Sequence, residues 1–168
     1  MRLDLLLRSL LDIALLRAGP QDVPYSPALV GLTAAVAAAV SYPAISTFSP
    51  GSDPALQLLV LIGFNAAFAY AVLQLRGLGA RFVQTATALF GTDALITAVA
   101  LPLLRLSGAP ESEAPAAVLV FIGLLFWNLA VVGHIFRHAL SVAMGAGVMV
   151  ALAYTFGATL FVRMVLGS

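Results

Sequence analysis

Cysteine does not occur in the 168-residue chain, which excludes disulfides and thiolate metal sites and leaves the redox compartment open. Lysine is missing as well: all eight cations are arginine, set against seven carboxylates. A formal net charge of +1 leaves no electrostatic footprint for nucleic acid. Charged residues make up only 9% of the chain, whereas a soluble domain carries roughly 25%. Also missing are a Gly-rich phosphate loop, a Gly-x-Ser-x-Gly elbow and a carboxylate pair. No nucleophile and base stand at recognisable spacing, so the chain reads as non-enzymatic, with no cofactor and no metal.

What is present is apolar. Hydrophobic residues are 62% of the sequence and the mean hydropathy is +1.07, which makes the lipid bilayer the solvent. Five long apolar runs give five spans: about 27–48, 55–75, 82–104, 116–136 and 140–166. Ser26–Pro27 and Asp53–Pro54 are helix starts, because an oxygen can cap free amides and proline at the first position loses no hydrogen bond. Pro43 is expected to kink or shorten the first span. The short "RGLGAR" link (76–81) makes spans two and three antiparallel neighbours. "RLSGAPESEAP" is the only acidic loop. "RHAL" (137–140) is the expected turn between spans four and five, the alternative being that helix four continues until "MGAG" (144–147).

Before the spans, "RLDLLLRSLLDIALLR" (2–17) is too short and too charged to cross a bilayer. Asp4, Arg8 and Asp12 share one helical face, opposite Leu3, Leu6, Leu7, Leu10, Ile13 and Ala14. The segment is an amphipathic helix that lies in the membrane interface or packs on the protein's own cytoplasmic face. The predicted fold class is therefore all-α, a polytopic membrane protein with five transmembrane helices. Residues 1–19 form the N-terminal amphipathic element and 20–168 the transmembrane domain.

Orientation follows from arginine in the connections. With the N-terminus inside, Arg2, Arg8, Arg17, Arg76, Arg81 and Arg137 are cytoplasmic, and Arg105 and Arg163 are outside. That predicts N-in and C-out, with Asp53, Glu111 and Glu113 outside. Arg17, Arg76, Arg81, Arg137, His134 and His138 then form an interfacial basic set. His134 and His138 stand one turn apart, the spacing of two imidazoles on one metal. Ile135 stands where a zincin needs Glu, and no third ligand is near, so they read as interfacial anchors.

Small residues let helices approach in lipid, where apolar side chains gain nothing by leaving hydrocarbon. Span five offers Ala139, Ala143, Gly147, Ala151, Thr155 and Thr159 at strict i, i+4 intervals. Span two offers Gly63, Ala67 and Ala71. These faces read as helix contacts within the chain, the alternative being a seam in a homo-oligomer.

The residue that stands apart is Asp93, within "TALFGTDALITAVALPLL" (87–104). At about 1.5 Å per residue, Asp93 lies roughly 18 Å above Arg81, Asn65 roughly 16 Å above Arg76 and Asn128 roughly 14 Å above Arg137. All three fall near the bilayer midplane. An ionised carboxylate facing lipid costs at least a few kcal/mol. Asp93 is therefore expected between helices, in a hydrogen-bonded clasp with Thr92, Thr97, Asn65 or Asn128, or as a proton or cation site.

The cytoplasmic N-terminal segment, the five closely spaced spans and a third span that begins "RFVQTATALFGT" and ends "LPLL" together resemble bacterial members of the Yip1-like membrane proteins. The resemblance implies a five-span helical fold without an assigned catalytic centre, in a bacterial inner membrane. Eukaryotic relatives act in vesicle trafficking with small GTPases. Their acidic Tyr-Gly-Pro signature is missing here, where only Gly19 and Pro20 remain, so that role is not carried over. The expected function is a non-enzymatic membrane scaffold that assembles with a membrane protein or a second copy of itself. The alternative is a small transporter or channel subunit built around Asp93.

Overall fold

The computed structural model describes residues 3–48, 53–106 and 115–167. Arg2, Ser107, the acidic loop with Glu111 and Glu113, and most of the link at 49–54 lie outside them. Six helices follow one another: α1 (Leu3–Ala14), α2 (Pro27–Phe48), α3 (Pro54–Leu75), α4 (Phe82–Leu106), α5 (Pro115–Leu140) and α6 (Met144–Leu166). No strand occurs among the described residues. Helices α2 to α6 are each long and apolar enough to cross a membrane, so the chain is an all-helical, multi-pass membrane protein.

The helix ends show how the sequence punctuates itself. At α3, an Asp53 carboxylate oxygen accepts from the Ala55 and Leu56 amides at 2.9 and 3.4 Å, and Pro54 fills the first position. At Ser26 it is the backbone carbonyl that accepts, from the Leu29 amide at 3.0 Å. α2 runs on through Pro43 to Phe48. α1, α3 and α5 all end in the same doubly bonded C-cap, in which a left-handed residue lets two amides turn back onto the last carbonyls. Gly77 (φ 68°) serves α3, where such a backbone costs nothing. Leu16 (φ 60°) serves α1 and Ser141 (φ 54°) serves α5, each at a cost of about 1–2 kcal/mol.

The expected turn at "RHAL" is thereby corrected. α5 continues through those residues to Leu140, and the turn is Ser141–Ala143. The physical reason is remote in sequence. Nη1 of Arg81 donates to the Ala139 carbonyl (2.9 Å), the His138 carbonyl (3.4 Å) and Ser141 Oγ (2.8 Å). With its final carbonyls satisfied by Arg81, just ahead of α4, the helix ends without a local glycine or proline.

α4 is the central helix, and every residue from Thr85 to Thr92 is buried. Ala86, Phe90 and Ala94 pack with Ala37 of α2. α5 and α6 cross where Gly133 meets Gly147: a Cβ on Gly147 would stand 2.5 Å from the Gly133 carbonyl oxygen and 2.9 Å from Arg137 Cβ. The buried seam on α6 is Gly147, Ala151, Ala158 and Val162. Ala143, Thr155 and Thr159 are exposed, because an i, i+4 series rotates about 40° per step on a helix of 3.6 residues per turn and walks off the contact face.

The stripe on α3 is corrected outright. Gly63, Ala67 and Ala71 are exposed, and nothing lies within 4 Å of a Cβ placed on Gly63. Aromatic rings fix α3 instead. Phe64 stacks on Phe161 of α6 at 5.2 Å between centroids, and Phe68 meets Tyr154 of α6 at 5.6 Å and Phe136 of α5 at 6.1 Å.

α1 buries Leu6, Leu10, Ile13 and Ala14 against α4 and α5, and leaves Leu5, Leu7, Leu11, Asp4, Arg8 and Asp12 exposed. Neither expected placement describes it: α1 packs on the flank of the bundle, at the level of Gly91 and Trp127, rather than in the interface or on the arginine-rich end. Leu10 fits against Gly91, where a Cβ would meet its methyl carbons at 2.6 Å. Side chains of the bundle then satisfy the carbonyls at and beyond the end of α1. Trp127 Nε1 donates to Ala14 (2.9 Å), His134 Nε2 lies 3.0 Å from the Ala18 carbonyl, and Gln84 Nε2 donates to Gln21 (3.1 Å) and Val23 (2.7 Å). Trp127, His134 and Gln84 stand about 20, 9 and 3 Å from their helix ends at the arginine-rich side, at 1.5 Å per residue. The chain from Ala14 to Val23 thus descends the flank of the bundle from mid-depth to its arginine-rich end.

Candidate functional site

Between α2, α3 and α4 lies a cavity of about 310 Å³. α2 contributes Ala37, Ser41 and Ile45, α3 contributes Leu58, Ile62 and Asn65, and α4 contributes Phe90, Asp93 and Thr97. These positions run from the middle of the helices toward the end that carries the α2–α3 link. Toward the arginine-rich end, the buried run Thr85–Thr92 of α4 closes the floor.

α3 divides its contacts between α6 and the α2–α4 pair. α2 has committed Ala37 to α4, and α3 leans on α6 through Phe64 and Phe68. Ile62 and Ala66 of α3 still reach the Ala37–Phe90 cluster, so the cavity is the space left around these contacts.

The polar groups in this space are unmatched. Asp93 is exposed to the cavity and makes no hydrogen bond among the described residues. Asn65 Oδ1 is buried and has no partner among them either. Such a buried acceptor without a donor costs about 1–3 kcal/mol, and it lines the same cavity as the Asp93 carboxylate. The hydroxyls of Ser41 and Thr97 border the same space.

The expected clasp is therefore not made. Asn65 and Thr97 share the cavity with Asp93 but do not bond to it. Thr92 turns the other way, and its buried hydroxyl donates to Ala88 (2.8 Å) and Leu89 (3.3 Å) of its own helix. Asn128, at matching depth on α5, does not line the cavity. Ser41 is the member that sequence reading missed; its signal was a lone hydroxyl one turn beyond Ala37.

At the other end, Arg17, Arg76, Arg81 and Arg137 are exposed. His134 is buried, and its proximity to the Ala18 carbonyl means that Nε2 carries the proton. Its ring meets that of His138 edge-on at 4.5 Å. No group of three His, Cys, Asp or Glu side chains placed to hold a metal occurs among the described residues. No family model, curated protein or solved structure matches the chain, so the Yip1-like resemblance stands on the residues quoted for it alone.

Proposed function

We propose that this protein binds a small cation, a proton or a monovalent metal ion, at Asp93 inside the membrane, and acts as a small transporter or channel subunit. One observation carries the reading: an unpaired carboxylate faces an intramembrane cavity that is also lined by Asn65, whose side-chain oxygen has no partner. Carboxylate, amide carbonyl and two hydroxyls are hard oxygen donors of the kind that take such ions. Ionisable groups at this depth mark ion and proton pathways. The cavity reaches only one half of the bundle, and a transport cycle requires the buried floor of α4 to open in turn. The arginine-rich end supports a cytoplasmic N-terminus, and we assign the protein to the bacterial plasma membrane, N-in and C-out. It has no catalytic role in this reading.

The test is thermal unfolding of the purified protein in lithium, sodium and potassium chloride at constant ionic strength, and across pH. One condition should stabilise the wild type, by about 2.7 kcal/mol at a hundredfold excess of ligand over Kd. Asp93→Asn should fold but lose that response, since only the carboxylate can balance the charge. Identical responses from both proteins would overturn the proposal.

The scaffold reading keeps one observation of its own, the exposed Gly63, Ala67 and Ala71 face of α3. A stoichiometric membrane-protein partner recovered in mild detergent, and lost on Gly63→Leu, would favour it.

A further inference from the structure

A second cavity, of about 340 Å³, opens at the arginine-rich end. Its walls come from three segments far apart in sequence: Gln21 after α1, Arg81 and Gln84 at the start of α4, and His138 and Ser141 at the end of α5. Arg81 commits Nη1 to capping α5; Nε and Nη2 make no hydrogen bond among the described residues. Asp22, whose charge reaches His138, is engaged through Oδ2 by the Gly19 amide at 2.8 Å.

A guanidinium edge with free donors, an imidazole and a hydroxyl around a space of this size match a phosphate oxyanion, which arginine grips with two parallel N–H bonds. The level matches too, since Arg81 directly precedes α4 and His138 stands two residues from the end of α5. Basic pockets between helix ends on the cytoplasmic side take anionic headgroups.

We propose that this cavity binds a phosphate-class anion, and that occupancy fastens the segment around Gln21 to the ends of α4 and α5. A lipid headgroup and free phosphate offer the same chemistry, and the experiment separates them. The full-length protein in detergent is titrated with phosphatidylglycerol, phosphatidylcholine and inorganic phosphate, and binding to the folded species is read by native mass spectrometry and thermal shift. Preferential binding of phosphatidylglycerol over phosphatidylcholine, weakened at least fivefold in Arg81→Lys and in His138→Gln, supports a lipid-headgroup site. Saturable stabilisation by inorganic phosphate with the same variant losses, and no preference between the lipids, supports a free-phosphate site. Arg81→Lys keeps the charge but not the fork, so the caps on α5 need not collapse; His138→Gln leaves those caps untouched. Equal binding of all three proteins to every probe, or no binding at all, overturns the proposal.

Discussion

In the α5–α6 hairpin, Gly133 and Gly147 bring two backbones together, and Ala151, Ala158 and Val162 continue the seam. In the α2–α3 hairpin the stripe of Gly63, Ala67 and Ala71 faces outward, and the inner faces of α2, α3 and α4 stand around a cavity holding Asp93 and Asn65. Small residues permit close approach in lipid but do not choose the partner. The choice falls to what else each helix has engaged: α2 is taken up by α4, and α3 is drawn to α6 by aromatic rings. A membrane bundle can thus be tight in one half and roomy in the other, and the roomy half is where unmatched polar groups survive.

The largest effect should come from filling the tight half. Gly147→Leu drives a side chain into the Gly133 carbonyl and should cost roughly 3 kcal/mol in equilibrium unfolding in mixed micelles. An unchanged midpoint would mean that the crossing is not close. Trp127→Phe comes next: it removes the donor to the Ala14 carbonyl at a depth without water, for about 1.4 kcal/mol. Amide exchange over residues 15–23 should then quicken about tenfold, the factor that energy corresponds to. Ser141→Gly tests the end of the tight hairpin. Relief of the left-handed backbone should outweigh the lost bond to Arg81 and raise stability by about 0.5 kcal/mol. The smallest effect belongs to the roomy half, where Gly63→Leu should change stability by less than about 0.5 kcal/mol. A larger loss there would show that the α3 stripe has a partner after all.

Helix starts and span lengths were legible because their causes are local: Asp53 caps the residues beside it, and Pro54 sits where proline belongs. The end of α5 was not, because Arg81 reaches it from the start of α4. Depth was legible from rise per residue, and it put Asp93, Asn65 and Asn128 at one level. Azimuth was not, and azimuth decides that Asn65 lines the cavity while Asn128 does not. The Phe64 and Phe68 contacts were not legible either, because their partners on α6 lie some ninety positions later. The α6 stripe was read as a strict four-residue series, whereas burial follows the 4, 7, 4 steps from Gly147 to Val162 that stay on one face.

The bonds that hold the N-terminal segment impose an order on manufacture. Ala14 precedes its donor Trp127 by 113 residues, and Ala18 precedes His134 by 116. At ribosomal speeds of roughly 5–20 residues per second, α1 leaves the ribosome on the order of ten seconds before Trp127 exists to hold its end. α1 is therefore seated late, and its leucines wait uncovered while α4 and α5, the helices it packs on, are laid down behind it.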